Sequence, residues 1–141
     1  MKRFWDLNAA DGAHRNGFGR CGTVKLIGSK TEQDFRTELV NSHISLFQDL
    51  DKRRLLGILR NNFPNMKTAY IIYWTPEQGE NIYSILVNVD EIAQIELDRF
   101  NSDIEPIINN ISLARYRNGL SRIGQIKLEV AIDLARLDLN S

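Results

Sequence analysis

Apolar and polar positions are most sharply patterned between residues 69 and 98. Residues 69–74 (Ala-Tyr-Ile-Ile-Tyr-Trp) form an almost unbroken apolar run, with the β-branched and aromatic content that suits a strand. The stretch Pro76-Glu77-Gln78-Gly79-Glu80-Asn81 interrupts it with turn residues; proline presets φ and glycine supplies the positive φ that turns require. A second run, 82–89, follows, in which Tyr83, Ile85, Val87 and Val89 share a face. The third, 92–98, alternates: Ala93, Ile95 and Leu97 fall inward, and Gln94, Glu96 and Asp98 fall outward, because successive side chains of a strand point to opposite sides. The pattern predicts an antiparallel β-meander with one buried face.

Helical periodicity flanks the meander. Thr31 is read as an N-cap with Glu32 and Asp34 in the first turn, where acids complement the helix dipole. Phe35, Leu39, Val40, Ile44 and Phe47 then recur at helical spacing. Asp51 opens a second piece with Leu55, Leu56, Leu59 and Phe63 on one stripe, ended by Pro64. The last segment carries Leu120, Ile123, Ile126, Val130, Leu134 and Leu137 at steps of three or four, with Ser121 as cap. Ala131 and Ala135 suit close approach to the sheet. Residues 23–27 read as a short strand, residues 1–22 as a loop-rich N-terminal segment, and Pro106 with Asn109-Asn110 as breakers. The expected fold is therefore α+β: one domain over 1–141, an antiparallel meander covered by helices at 31–62 and 120–138.

Composition narrows the function. The 141 residues carry 18 basic and 18 acidic side chains, a formal net charge of zero, which disfavours a surface built wholly for nucleic acid or an anionic membrane. The balance hides an asymmetry. Residues 1–30 hold six Lys or Arg and two Asp, whereas residues 90–105 hold six acids (Asp90, Glu91, Glu96, Asp98, Asp103, Glu105) against Arg99. Cys21 is the only cysteine, so neither an intrachain disulfide nor a thiolate cluster can form. With no signal-like apolar stretch behind Lys2 and Arg3, and no window long enough to cross a bilayer, the expectation is a cytoplasmic protein with no membrane partner.

Catalytic patterns do not assemble. Gly17-x-Gly19-x-x-Gly22-x-Val24 has the spacing of a phosphate-covering loop, but a dinucleotide fingerprint needs a strand before the glycines and a helix after them, and here a loop precedes and a strand follows. His14 and His43 are the two side chains whose unperturbed pKa lies near neutrality, yet nothing in the spacing brings them together. Glu96-x-Asp98 on one strand face invites a Mg²⁺-dependent nuclease reading, but the lysine expected two residues further on is Phe100. Tyr70, Tyr73 and Trp74 suggest a base-stacking platform, but no Lys or Arg occurs between Thr68 and Arg99. These aromatics are read as core or as anchors of a protein interface. No catalytic residue, metal site or cofactor is assigned, and no nucleic-acid partner is expected.

Two segments carry a family likeness. Residues 69–83 (AYIIYWTPEQGENIY) and 113–135 (LARYRNGLSRIGQIKLEVAIDLA) resemble the small bacterial immunity proteins of contact-dependent growth inhibition and polymorphic-toxin loci; they make up 15 and 23 of the 141 residues. The resemblance implies a non-enzymatic inhibitor that binds one cognate toxin domain, often a nuclease, 1:1 and blocks its active site or a neighbouring surface. It transfers no individual residues, since each toxin pair has its own interface. Nuclease toxins need cationic sites for phosphate, so carboxylates are the matching chemistry. Glu77, Glu80, Asp90, Glu91, Glu96, Asp98, Asp103 and Glu105 are the candidate contacts. An adaptor or antitoxin-like regulator is the alternative reading, with a small metal-dependent nuclease third.

Overall fold

The structure, a computed structural model, describes residues 24–140. The 1–22 segment, the Gly17–Gly22 motif and His14 lie outside the described residues. The chain runs α1 (Lys30–Gln48), a 3-10 turn (Leu50–Lys52), α2 (Arg53–Asn62), β1 (Ala69–Glu77), β2 (Glu80–Val87), β3 (Glu91–Asp98), β4 (Ile107–Ser112), α3 (Leu113–Asn118) and α4 (Arg122–Leu139). The four strands make one antiparallel sheet in the order β1-β2-β3-β4. The α+β class and the meander are as expected, with β4 added to it.

Both faces of the sheet are covered, which corrects the expectation of one buried face. On one side Tyr70, Ile72, Leu86 and Ile92 pack with Leu128, Ile132 and Ala135 of α4 and Tyr116 of α3. On the other, Tyr83, Ile85, Ala93 and Ile95 pack with Leu55, Leu59 and Phe63 around α2. Helix α1 lies along the outer edge of β1 and serves both layers, giving Leu39 to the first and Leu46 to the second. Its side chains bond the strand edge directly. The His43 Nδ1–H donates to the Ala69 carbonyl at 3.0 Å, and Ser42 Oγ accepts from the Ile71 N–H at 3.2 Å. The His43 ring also stacks on Tyr70, centroids 4.9 Å apart. His43 is thus a fastening between layers.

Two-sided burial overturns the outward placement of Gln94 and Glu96, which are 0% and 2% exposed. Alternation along β3 sets them on the α4 side, and the register places Gln94 beside Ser84, and Glu96 between Ile82 and Ile107. The α4-side layer therefore contains a polar row. Tyr116 is buried there as well, and burial raises its phenol pKa.

Between Ile71 and Tyr73 the β1–β2 register shifts by one residue. Such a bulge places two residues of one strand opposite one of its partner. Ile72 and Tyr73 consequently both pack toward α4, and Trp74 turns to the opposite face, pairing with Tyr83. Helix α4 is latched to the same strand near its end: the hydroxyls of Thr68 and Tyr70 both donate to the Asp138 carboxylate.

The expected strand at 23–27 is absent: Val24–Ile27, its described part, has no regular structure. The reason is a helix cap. Ser29, not Thr31, is the N-cap of α1, its Oγ accepting from the Glu32 N–H, and the Glu32 carboxylate reaches back to the N–H groups of Ile27 (3.0 Å) and Gly28 (2.7 Å). The Ser29 bond satisfies a donor that the helix start leaves open, and the Glu32 carboxylate holds the two residues before the cap against the helix. The Ile27 N–H, above all, holds the Glu32 carboxyl below its ordinary 4.5, against an opposing effect of burial and with further help from Gly28 and Ser29. A depressed folded-state pKa contributes stability that is complete above the unfolded value and is lost as pH falls through the folded one. Stability should therefore decline below pH 4.5, and Glu32→Gln should flatten that decline in urea unfolding measured stepwise to lower pH. Equal acid slopes in the two proteins would contradict this linkage.

A second local device joins the α2–β1 loop to the β2–β3 turn. Asn88 adopts φ 55°, a left-handed conformation that costs most side chains about 1–2 kcal/mol. Its Oδ1 accepts from the N–H groups of Lys67 and Thr68, and its Nδ2 donates to the Asn65 carbonyl. Asn88→Ala keeps the strain and loses all three bonds. A loss of about 2–3 kcal/mol is expected in chemical denaturation, with Asn88→Gly recovering the conformational part.

Candidate functional site

The eight candidate acids do not form one surface. Asp90 and Glu91 stand at the β2–β3 turn, whereas Glu77, Glu80 and Asp98 meet at the opposite end, where Glu77 pairs with Glu80 and Glu80 with Asp98. An eight-residue strand separates the two groups by roughly 25 Å. Glu96 is interior. Asp103 and Glu105 are exposed in the loop from β3 to β4. Glu96 and Asp98, two residues apart, do not present a paired carboxylate site: one is enclosed, and the other is occupied with its own loop. Asp98 Oδ1 accepts from the N–H groups of Phe100 and Asn101 at 2.9 and 2.7 Å.

The end holding Glu77, Glu80 and Asp98 is the more developed surface. Gly79 closes the β1–β2 turn at φ 73°. Arg99 ties the turn to β3: its N–H donates to the Gly79 carbonyl, and its guanidinium donates to the carbonyls of Glu77 and Glu80. Arg99 thereby spends its donors on backbone and leaves the neighbouring carboxylates unpaired by it. Two large aromatics are exposed, one at this turn and one further back along β1. Phe100 is 82% exposed, with its ring edge beside Gly79, and Trp74 is 57% exposed, its indole N–H donating to Asn81 Oδ1. The Arg54 guanidinium reaches across from α2 to the Ile104 carbonyl and secures the adjoining loop.

Phe100 and the carboxylates stand on a turn held by backbone hydrogen bonds, and Trp74 adds a second exposed aromatic further along β1, on the other face of the sheet. Aromatics supply contact area at small entropic cost, and carboxylates set the sign of the partner. Comparison with protein-family models, with curated proteins and with solved structures finds no match to this chain.

A cavity of about 430 Å³ opens between α1, β1 and α4, walled by Ile72, Tyr73, Trp74, Tyr83, Lys52 and Lys127. Its most unusual member is Lys127, buried in α4, whose ammonium pairs with Glu38 and lies 4.7 Å from the Tyr73 ring centroid and 5.6 Å from that of Phe35. The tyrosine pKa values are raised, by burial first, then by Glu38 at Tyr73 and by Asp51 at Tyr83. Lys127 is committed to Glu38 and two rings, so the cavity wall is a structural joint between helices. Among the described residues, no group of three or more His, Cys, Asp or Glu is placed to hold a metal ion, and no helix is long and apolar enough to cross a membrane.

Sequence reasoning gave Phe100 no binding role and left Trp74 between core and interface anchor. Trp74 shares strand parity with Tyr70 and Ile72, which points it inward on paper; only the bulge turns it out. Phe100 stood in no periodic pattern, and its signal is an aromatic directly after an acidic strand end.

Proposed function

We propose that the protein is an immunity protein that binds a cognate toxin domain 1:1 and neutralises it by covering its active site or the surface beside it. The observation that carries this reading is a pair of exposed aromatics, Phe100 beside the turn that bears Glu77, Glu80 and Asp98, and Trp74 three residues back on β1, on the sheet face opposite to those carboxylates. Trp is among the residues that most often dominate binding energy at protein interfaces. The carboxylates at the turn beside Phe100 complement the Arg and Lys that a nucleic-acid-cleaving toxin needs for phosphate. The likeness of segments 69–83 and 113–135 to contact-dependent growth inhibition immunity proteins supports the same reading, and β1 lies within the first of them. Binding, rather than chemistry, is the role this surface suits: its charged groups are spread along a turn instead of converging on one reacting atom.

The test is co-expression with the toxin domain encoded beside this gene. Restored growth and co-elution of the two proteins at 1:1 are expected. Persistent growth arrest together with separate elution excludes the reading.

A further inference from the structure

The two edges of the sheet are treated differently. The β1 edge is guarded: α1 lies along it, Ser42 and His43 bond its outward groups, a bulge interrupts it, and Pro76 removes one donor. These are devices that stop strands from pairing with foreign chains. The β4 edge has none of them. Its sequence Ile-Ile-Asn-Asn-Ile-Ser contains no charge and no proline, and Asn109 and Asn110 are exposed.

Hydrogen-bond parity shows which β4 groups are open. Ala69 and Ile71 turn their backbone groups outward, to His43 and Ser42, so Tyr70–Leu86 is a bonded pair. The Asn88 N–H to Thr68 carbonyl bond and the Arg99 N–H to Gly79 carbonyl bond follow the same alternation. Carried across the register, it directs Ile92, Gln94 and Glu96 to Ile111, Asn109 and Ile107. Ile108 and Asn110 are left with N–H and C=O aimed away from the sheet. Among the described residues, no backbone or side-chain group bonds them.

We infer that β4 pairs antiparallel with β4 of a second copy, centred on Asn110, to form a two-fold dimer with one continuous eight-stranded sheet. Charge selects this occupant. Antiparallel pairing lays the segment before one β4 beside the segment after the other. The first carries exposed Asp103 and Glu105, and the second exposed Arg115, so opposite charges meet twice about the axis, and the uncharged strand adds no repulsion at its centre. The dimer uses a different edge from Trp74 and does not depend on the toxin reading. Each copy keeps its own anchor surface.

The parity gives a selective test, read as mass by light scattering or sedimentation of the full chain across a dilution series. The unmodified protein should be a dimer that dissociates on dilution. Asn110→Pro removes an outward N–H and the side-chain hydrogen bond to Glu91 but no ladder bond, because β4 bonds β3 through residues 107, 109 and 111. It should give a monomer with an unchanged circular dichroism spectrum. Asn110→Lys, which sets two ammonium groups face to face across the axis, should do the same if proline proves disruptive to the fold. Glu105→Arg should raise the dimer dissociation constant about tenfold, and combination with Arg115→Glu should restore it. A monomer at every concentration, or a dimer indifferent to Asn110→Pro and Asn110→Lys, overturns the inference.

Discussion

Trp74→Ala is expected to weaken toxin binding by about 30- to 1,000-fold, the range of a 2–4 kcal/mol interface anchor, with little change in stability. The asymmetry follows from where the ring sits. More than half of it is exposed, and its one hydrogen bond in the free protein goes to Asn81. Surface truncation of this kind alters folding free energy by about 0.5 kcal/mol or less when no packing is lost. The carboxylates at the β1–β2 turn should act differently. Glu80→Lys is expected to reduce the association rate and its salt dependence more than the dissociation rate, as charges at an interface rim do. Asp98 requires a subtler change, since its Oδ1 holds the Phe100 and Asn101 N–H groups. Asp98→Asn keeps an acceptor and removes the charge. Reversal at Lys2 or Arg3 should matter less than either. Calorimetry or surface resonance with the purified toxin domain measures all of these. Wild-type affinity for Trp74→Ala would move the interface elsewhere. Glu96 is unsuitable for such a series, because a lysine there would be placed in the interior and would report on folding.

Lys127→Ala should produce the largest loss of stability among substitutions near the cavity, about 2–4 kcal/mol. It removes a buried stem, leaving a void at the α1–α4 joint, and two cation–π contacts worth about 0.5–2 kcal/mol each. Lys127→Met fills the space without a charge and should cost less than about 1.5 kcal/mol, because replacing a buried ion pair by a similar apolar volume is often close to neutral. Glu38→Ala instead leaves the ammonium in place without its anion. The pair is asymmetric, with Lys127 7% and Glu38 59% exposed, so water near the glutamate position tempers the effect to about 1–3 kcal/mol. The double variant Glu38→Ala/Lys127→Met should be more stable than Glu38→Ala alone. Chemical denaturation of the four proteins closes this cycle, and additive losses would show that the two side chains are not coupled.

Much of the architecture was legible because local and tertiary preferences agree. The apolar runs of β1 to β3, the turn at Gln78-Gly79, the stripe Leu55–Leu59–Phe63 and the presence of a long helix from Arg122 all follow their patterns, although Ile123 and Leu137, read on that helix's inner stripe, are exposed. β4 was hidden by its own composition. Pro106 and Asn109-Asn110 read as breakers, but a strand at the sheet edge needs only one ladder, and exposed asparagines there face no packing demand. Gln94 and Glu96 misled for the opposite reason. Polar residues alternating with apolar ones normally mark a solvated face, and here that face lies under the α4 layer. The continuous apolar stretch from Ile82 to Val87, interrupted only by Ser84, was the sign of two-sided burial. The candidate surface was half legible. Glu91 and Asp98, close in sequence, stand at opposite ends of an eight-residue strand, whereas Asp98 is brought beside Glu80, and so near Glu77, by antiparallel register.

The bulge in β1 also governs how this protein can tolerate change in length. Loss of Ile72 would close the bulge and leave every pair from Tyr73–Ser84 to Glu77–Glu80 in register, at the cost of one core side chain. Loss of a residue between Trp74 and Glu77 would instead slide the outer part of the strand by one step, and a one-step slip exchanges the two faces. Glu77 would then exchange faces, while Trp74, ahead of the deletion, would keep its own. Single-codon deletions a few positions apart thus have separate outcomes, one lowering stability with the turn end preserved and the other rearranging that end.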